Sequence, residues 1–406
     1  LLEPTSITNN LKKWLFIVVL IDSISFGIIL PIIPILSITL NLNSFHIGLL
    51  LSIFAFFQFL TTPFLGFLSD KFGRKKIIIY SLLGVSFSYL LTGLSSSFIF
   101  ILIARALCGI FTSNFAVVLA SGIDISGYKE RSKILGFLGA SYGIGFIIGP
   151  FIGGLLSSPH ITNTINNIFL HLPSHQLNIF TTKIPFYFAS IISFIAFLFS
   201  LFKIKETNQN LTSSINIKNI LNNIFKTKQI YGYMSLSIFL FTGYSAIQVF
   251  LIIYLAKFFH LNNFMIGLIG TYFALIVSLT QLLLPKYLKE NISILIGILL
   301  AIIGSLILDF NANSLSFIII SLSCYGIALG LIYPNINSKI SKISNTNNLG
   351  ITLSINQMSA ILGQSIGPIF LGYIYYLSPS YLWLSLSINF TICLLIFILF
   401  KKYIKS

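Results

Sequence analysis

Read for its alternation of apolar and polar positions, the chain resolves into long apolar runs separated by short polar breaks. One helical crossing of a bilayer needs about 20 apolar residues. Such runs lie near 14–38, 45–68, 76–95, 98–121, 132–157 and 184–204, and again near 230–256, 264–285, 291–309, 314–338, 348–376 and 381–400. The pattern predicts an all-α integral membrane protein of twelve transmembrane helices in two pseudo-symmetric six-helix bundles. Residues 1–204 form the N-terminal bundle and 230–406 the C-terminal one. Residues 205–229 form a central loop whose apolar positions, Ile215, Ile217, Ile220, Leu221, Ile224 and Phe225, predict an amphipathic segment lying on the membrane surface. The first apolar run is too long for a cleavable signal peptide.

Composition points the same way. Hydrophobic residues make up 56% of the chain and charged residues 8%, against about a quarter charged in a soluble domain. A single soluble core could not hide this much apolar surface, so lipid is the main solvent. Cys108, Cys324 and Cys393 all lie inside apolar runs and read as small buried hydrophobes, with no disulfide or metal spacing. The net charge of +16 would suit a nucleic-acid partner, but the cations form no patch beside interleaved aromatics. They sit in the short loops. With the N-terminus in the cytoplasm, every Lys and Arg except Lys183, Lys257 and Arg105 falls on the inside, which orients the chain with both termini cytoplasmic. The long outside loop, 158–183, holds His160, His171 and His175. Solvated loop histidines are preferred there to a metal site formed by His171 and His175.

The two halves repeat. Gly145-Phe-Ile-Ile-Gly149-Pro150, followed by Gly153 and Gly154, matches Gly363-Gln-Ser-Ile-Gly367-Pro368 followed by Gly372, at an offset of 218 (367 minus 149). Internal repeats with Gly and Pro interrupting apolar segments point to a transporter. Small residues at every fourth position let helix backbones touch; packing and a special role in preventing leak are both open for Gly145, Gly149, Pro150, Gly153 and Gly154.

Of the eight acids, only Asp22 lies well inside a span. An ionised Asp at the bilayer centre costs about 2.5–3.5 kcal/mol on insertion scales, so one is rarely present without a role. A carboxyl group in low dielectric can take up and release a proton near neutral pH. Asp22 is therefore the candidate proton carrier, with a structural Asp satisfied by Arg or backbone as the plain alternative. Arg105 is the only intramembrane cation. Counted at about 1.5 Å per residue, Asp22 lies about 6 Å to the inside of its span centre and Arg105 about 7 Å to the outside. Long-range tuning of Asp22 is thus preferred to a direct bond; otherwise Arg105 snorkels to the interface. Together with Arg105, the candidate cavity residues are Gln58, Asn114, Tyr142, Tyr244, Gln248, Tyr272, Gln281, Asn335, Asn356 and Gln357, polar groups in an otherwise apolar setting.

Four motifs carry a resemblance. The loop after the second run reads Gly66-Phe-Leu-Ser-Asp70-Lys-Phe-Gly73-Arg74-Lys-Lys. Arg105-Ala-Leu-Cys108-Gly109 lies in the fourth run and the Gly–Pro series in the fifth. The first run contains Asp22-Ser-Ile-Ser-Phe-Gly27-Ile-Ile-Leu-Pro31-Ile-Ile-Pro34. With Asp124-Ile-Ser-Gly-Tyr-Lys-Glu130-Arg131, these resemble the major facilitator superfamily, in particular its twelve-span drug:proton antiporters and their tetracycline-efflux and multidrug-resistance branch. The resemblance implies a cytoplasmic gate formed by Gly66, Asp70, Gly73, Arg74, Asp124 and Arg131, with Arg74 paired to Asp124 and Asp70 facing the start of span eleven. It implies proton-coupled efflux of small hydrophobic or amphipathic drugs by alternating access, from a monomer in the bacterial cytoplasmic (inner) membrane. Its partners are a small molecule, protons and lipid, with no cofactor, no metal and no enzymatic activity. The loop of the second half, Leu284-Pro-Lys-Tyr-Leu-Lys-Glu290, lacks the gate motif, so the latch is expected to be one-sided. Tetracycline exporters carry further acids where this chain has Ser88 and Ile302, so a tetracycline substrate is not implied. The alternatives are a proton-linked metabolite or siderophore transporter and a non-transporting sensor or scaffold.

Overall fold

A computed structural model describes residues 7–112, 114–126, 131–165, 167, 174–207, 228–284, 288–343 and 349–404. Their regular secondary structure is helical. Twelve helices are long and apolar enough to cross a membrane: span one is Asn10–Thr39, span two Ser44–Phe72, span three Arg74–Leu94, span four Phe98–Asp124, span five Ile134–Leu156 and span six Phe180–Lys203. In the second half, span seven is Gln229–Phe258, span eight Asn263–Leu283, span nine Glu290–Asn311, span ten Leu315–Ile343, span eleven Thr352–Leu377 and span twelve Pro379–Phe400. All twelve predicted crossings are present.

Two details differ from the prediction. Span four runs on to Asp124, as helical pieces Phe98–Thr112 and Asn114–Asp124. The loop expected over 158–183 is partly helical: Pro159–Ile165 is a short helix, and the helix carrying span six already starts at Ser174. Its early start has a local reason. Thr181, Thr182 and Lys183 are buried, and Lys183 Nζ donates to Ser96 Oγ at 2.8 Å, so polar residues at this end are folded inward. Residues 208–227 of the central loop, with the amphipathic segment, lie outside the described residues, as do His171 and the side chain of His175.

By contact the chain divides into two compact units, Leu1–Leu42 with Phe56–Ser214 and His260–Thr271, and Asn43–Ala55 with Ile215–Phe259 and Tyr272–Ser406. In the first, span one packs most extensively on span five and then on span six, while span three packs on spans six and four. Leu15, Val18, Ile78, Leu82, Val118, Leu138 and Ala196 fill the core between them. In the second, spans nine and ten form one close pair and spans seven and eleven another, with span twelve against seven and nine.

Between apolar helices in lipid there is no hydrophobic drive to associate, so close backbone contact supplies the attraction. The glycines of span five do this on two faces. A Cβ on Gly149 would fall 2.6 Å from Gly27 Cα, one on Gly145 would fall 2.8 Å from the backbone N of Ile24, and one on Gly153 would fall 2.5 Å from the carbonyl O of Ile28, all on span one. On the other face, a Cβ on Gly154 would lie 2.9 Å from Gly267 Cα at the start of span eight, and Gly267 itself lies against the carbonyl of Pro150. The second unit repeats the seam 218 residues later, with Gly363 and Gly367 against the backbone of Thr242 on span seven. Pro31, Pro34, Pro150 and Pro368 lie inside their helices, where each removes one backbone hydrogen bond and favours a bend.

Gly149→Ala should therefore lower the thermal unfolding midpoint of the detergent-solubilised protein, because overpacking a closed contact costs about 1–3 kcal/mol. Gly66→Ala, with nothing within 4 Å of the added methyl, should leave the midpoint unchanged. Equal midpoints for the two variants would contradict the seam.

Candidate functional site

The polar centre of the first unit forms where spans one, three and four meet. On span one, Ser23 Oγ donates to the Leu20 carbonyl at 3.0 Å and Ser25 Oγ to the Ile21 carbonyl at 3.0 Å, so both hydroxyls are absorbed by their own helix. Asp22, between them, is not. It is half-buried, has no ion pair among the described residues, and meets the side chain of Asn114 from span four. Because Gly145 closes on Ser23 and Ile24, the glycine seam fixes the rotation of span one that aims Asp22 at span four.

Arg105 is 2% exposed, so its guanidinium does not reach the interface. No direct bond joins it to Asp22. Both lie near Tyr89 of span three, which is 1% exposed and lies beside the Cys108 thiol. Tyr89 is a residue that reading the sequence missed; its only signal is a hydroxyl-bearing aromatic in a run that also holds Ser86 and Ser88. Chemically, this is a carboxyl group at mid-span with a neutral amide as neighbour and a buried cation farther off. Such a group can hold or release a proton without breaking a salt bridge.

A second cluster sits at the turn between spans two and three. Arg74 Nη1 lies 2.5 Å from Asp70 Oδ1 and donates to Ser69 Oγ at 2.5 Å, while Nε lies 3.2 Å from Asp124 Oδ2. The Arg74–Asp124 pair implied by the resemblance is thus present. The turn itself needs glycine, since Gly73 has φ +102°, a conformation that L side chains rarely adopt. Gly73 offers no side chain to cap the helix that follows, and Glu206, just past the end of span six, fills that role. The Arg74 and Lys75 backbone N–H groups donate to Glu206 Oε1 at 2.8 Å and Oε2 at 3.2 Å. Thr207 Oγ1 reaches Asp124 Oδ2 at 3.3 Å. Glu206 was also missed; a helix start without its own capping residue was the available clue. Gly66 borders this turn with open space beside it, and Arg131 is the first residue of the helix leading into span five, its side chain outside the described ones.

The proposed cavity residues fall into different settings. In the first unit Gln58 and Tyr142 are half-buried and Asn114 is buried. The Tyr142 ring lies 4.8 Å from Phe115 and 5.0 Å from Phe146, which in turn lies 5.6 Å from Phe26, making an aromatic row along spans one, four and five. In the second unit Tyr244, Gln248 and Gln357 are half-buried, while Tyr272 and Gln281 are exposed. Asn335 and Asn356 are buried and engaged: Asn335 Nδ2 donates to the Leu331 carbonyl at 2.7 Å, and Asn356 accepts from Ser237 Oγ and donates to Asn337 Oδ1, each at 2.8 Å.

The sequence profile of the Major Facilitator Superfamily matches residues 15–290 and 233–405. The chain is 34% identical over 198 residues to tetracycline resistance protein class H of Pasteurella multocida, covering 48% of this chain and 44% of that protein, so the match spans less than half of that relative's length. It is 28% identical over 387 residues to multidrug resistance protein 2 of Bacillus subtilis (strain 168), covering 92% and 91% of the two chains. Among solved structures, a bacterial homolog of the human lysosomal transporter Spinster superposes with a TM-score of 0.78 at 14% identity, covering 98% of each chain. At that identity the likeness shows the fold alone.

The cap at the turn is testable by itself. Glu206→Ala should speed hydrogen exchange of the Arg74 and Lys75 amides by about tenfold, the scale expected when a charge-assisted hydrogen bond is lost. Unchanged exchange, measured by mass spectrometry on the peptide carrying them, would remove Glu206 from the turn.

Proposed function

Since the chain belongs to the major facilitator superfamily, we propose that it exports small hydrophobic or amphipathic molecules in exchange for protons, with Asp22 as the proton-carrying group. The observation that carries this is the setting of Asp22: half-buried at mid-span, facing Asn114, with no ion pair among the described residues. A carboxylate locked to an arginine could not exchange its proton for substrate at modest cost; this one can. An aromatic row of Phe26, Phe146, Tyr142 and Phe115 runs along spans one, five and four and offers flat apolar faces to a substrate. The direction of transport is taken from relatives whose names are those of drug-resistance proteins. The basic loops support a cytoplasmic side for both termini, and hence a bacterial inner membrane.

Alternating access then requires the two halves to rock around a midplane site. The motif turn would serve as a cytoplasmic latch in that motion. Arg74 holds the ends of spans two and four together.

Everted membrane vesicles test the assignment. With ethidium, tetracycline and a quinolone as probes, the wild-type protein should accumulate at least one of them when a pH gradient is imposed. Asp22→Asn should reach the membrane in equal amount and lose the gradient-driven component entirely. Undiminished gradient-driven accumulation by Asp22→Asn would overturn the role of Asp22.

A further inference from the structure

The latch expected to be one-sided has a counterpart. Glu290, the first residue of span nine, receives Ser338 Oγ as a hydrogen-bond donor and pairs with two cations from the end of span ten, Lys342 Nζ at 2.7 Å and Lys339 Nζ at 3.2 Å. The side chains of Glu290 and Lys339 are 18% and 19% exposed, so this is not a fully solvated surface pair. Lys342 stands 218 residues after Asp124 (342 minus 124), the same offset that relates Gly149 to Gly367. Glu290 lies two residues before the position equivalent to Arg74 (74 plus 218 is 292), so spans nine and ten are joined at nearly the same place as spans three and four, with the charges exchanged. In the first half the cation, Arg74, starts the helix and the acid, Asp124, ends one. In the second the acid starts the helix and the cations end one.

The exchange has a physical consequence. A helix N-terminus favours an anion and a C-terminus a cation. Glu290, Lys339 and Lys342 obey that preference at both ends, whereas Arg74 and Asp124 oppose it at both. The first half compensates by bringing Glu206 to the N-terminus of span three; the second needs no such outside group, because its clamp residue is already the anion.

We propose that Glu290, Lys339 and Lys342 form a second, charge-inverted clamp that holds spans nine and ten in the register transport requires. Glu290 is a positioning residue, acting through helix placement and not through substrate. The proposal relies on the transport reading above only for its activity readout.

The test is a charge swap in the full-length protein, with two readouts: thermal midpoint in detergent, and ethidium accumulation in everted vesicles per molecule of protein. Glu290→Lys should lower the midpoint and cut accumulation by about tenfold, since it turns two attractions into repulsions. Adding Lys339→Glu and Lys342→Glu should restore most of both, and Glu290→Asp should stay near wild type. A swapped protein no better than Glu290→Lys would overturn the clamp. A lowered midpoint with unchanged accumulation would reduce it to a structural pair and overturn its role in transport. If Glu290→Lys fails to accumulate in the membrane, Glu290→Gln and Lys342→Met replace it: the clamp predicts that their midpoint losses combined fall short of additive, and strict additivity contradicts it. If wild type moves no ethidium, the choice of probe or the export reading fails, while the midpoint cycle still decides the pairing.

Discussion

Helices in lipid are held by what their backbones can touch, and in this chain the contact that places Asp22 is the glycine seam between spans one and five. Gly145, Gly149 and Gly153 lie against Ser23, Gly27 and Ile28 with no room for a methyl group. That contact does more than fasten two helices. It sets the rotation of span one, which turns the Asp22 carboxyl toward Asn114 while Ser23 and Ser25 bond back to their own helix. The repeat of the seam at Gly363 and Gly367 gives the second half the same frame, but the position equivalent to Asp22 is Leu240, a buried apolar residue (240 minus 22 is again 218). At this position one half therefore carries a carboxyl group and the other an apolar side chain.

Charge at the basic ends of the helices follows a similar economy. With few acids in the chain, four of the described ones hold helix ends together, while Asp309, near the far end of span nine, is exposed. Asp70 and Asp124 share Arg74, Glu206 caps span three, and Glu290 gathers two lysines. Exposed pairs of this kind contribute little each; as networks placed at helix ends they define which ends travel together. The first-half network works against its helix dipoles and borrows an anion from beyond span six. The second-half network works with its dipoles.

Much of this was legible in the sequence because membrane physics writes long signals. Twelve apolar runs, basic loops on alternate sides and a repeat at fixed offset need no knowledge of contacts, and the superfamily resemblance followed from the Gly66–Lys76 turn, the Arg105 motif and the Gly–Pro series. What stayed hidden depends on residues far apart in the chain. Glu206 caps a helix that begins 132 residues earlier, and Tyr89 matters only because spans one and four come to it. Lys339 and Lys342 looked like ordinary cytoplasmic cations until Glu290 was placed beside them. Asn335 and Asn356 illustrate the opposite difficulty: polar residues in apolar runs mark a site or satisfy one another, and composition does not tell the two apart. The early start of span six was missed because Thr181, Thr182 and Lys183 read as loop although the fold buries them.

The central claim is that substrate and proton compete for Asp22. The most direct measurement is proton release when a transported probe binds the purified protein in weakly buffered detergent solution, followed with a pH indicator. The account predicts that the wild-type protein releases protons on binding and that Asp22→Asn binds the same probe without releasing any. Equal release from both proteins would contradict it.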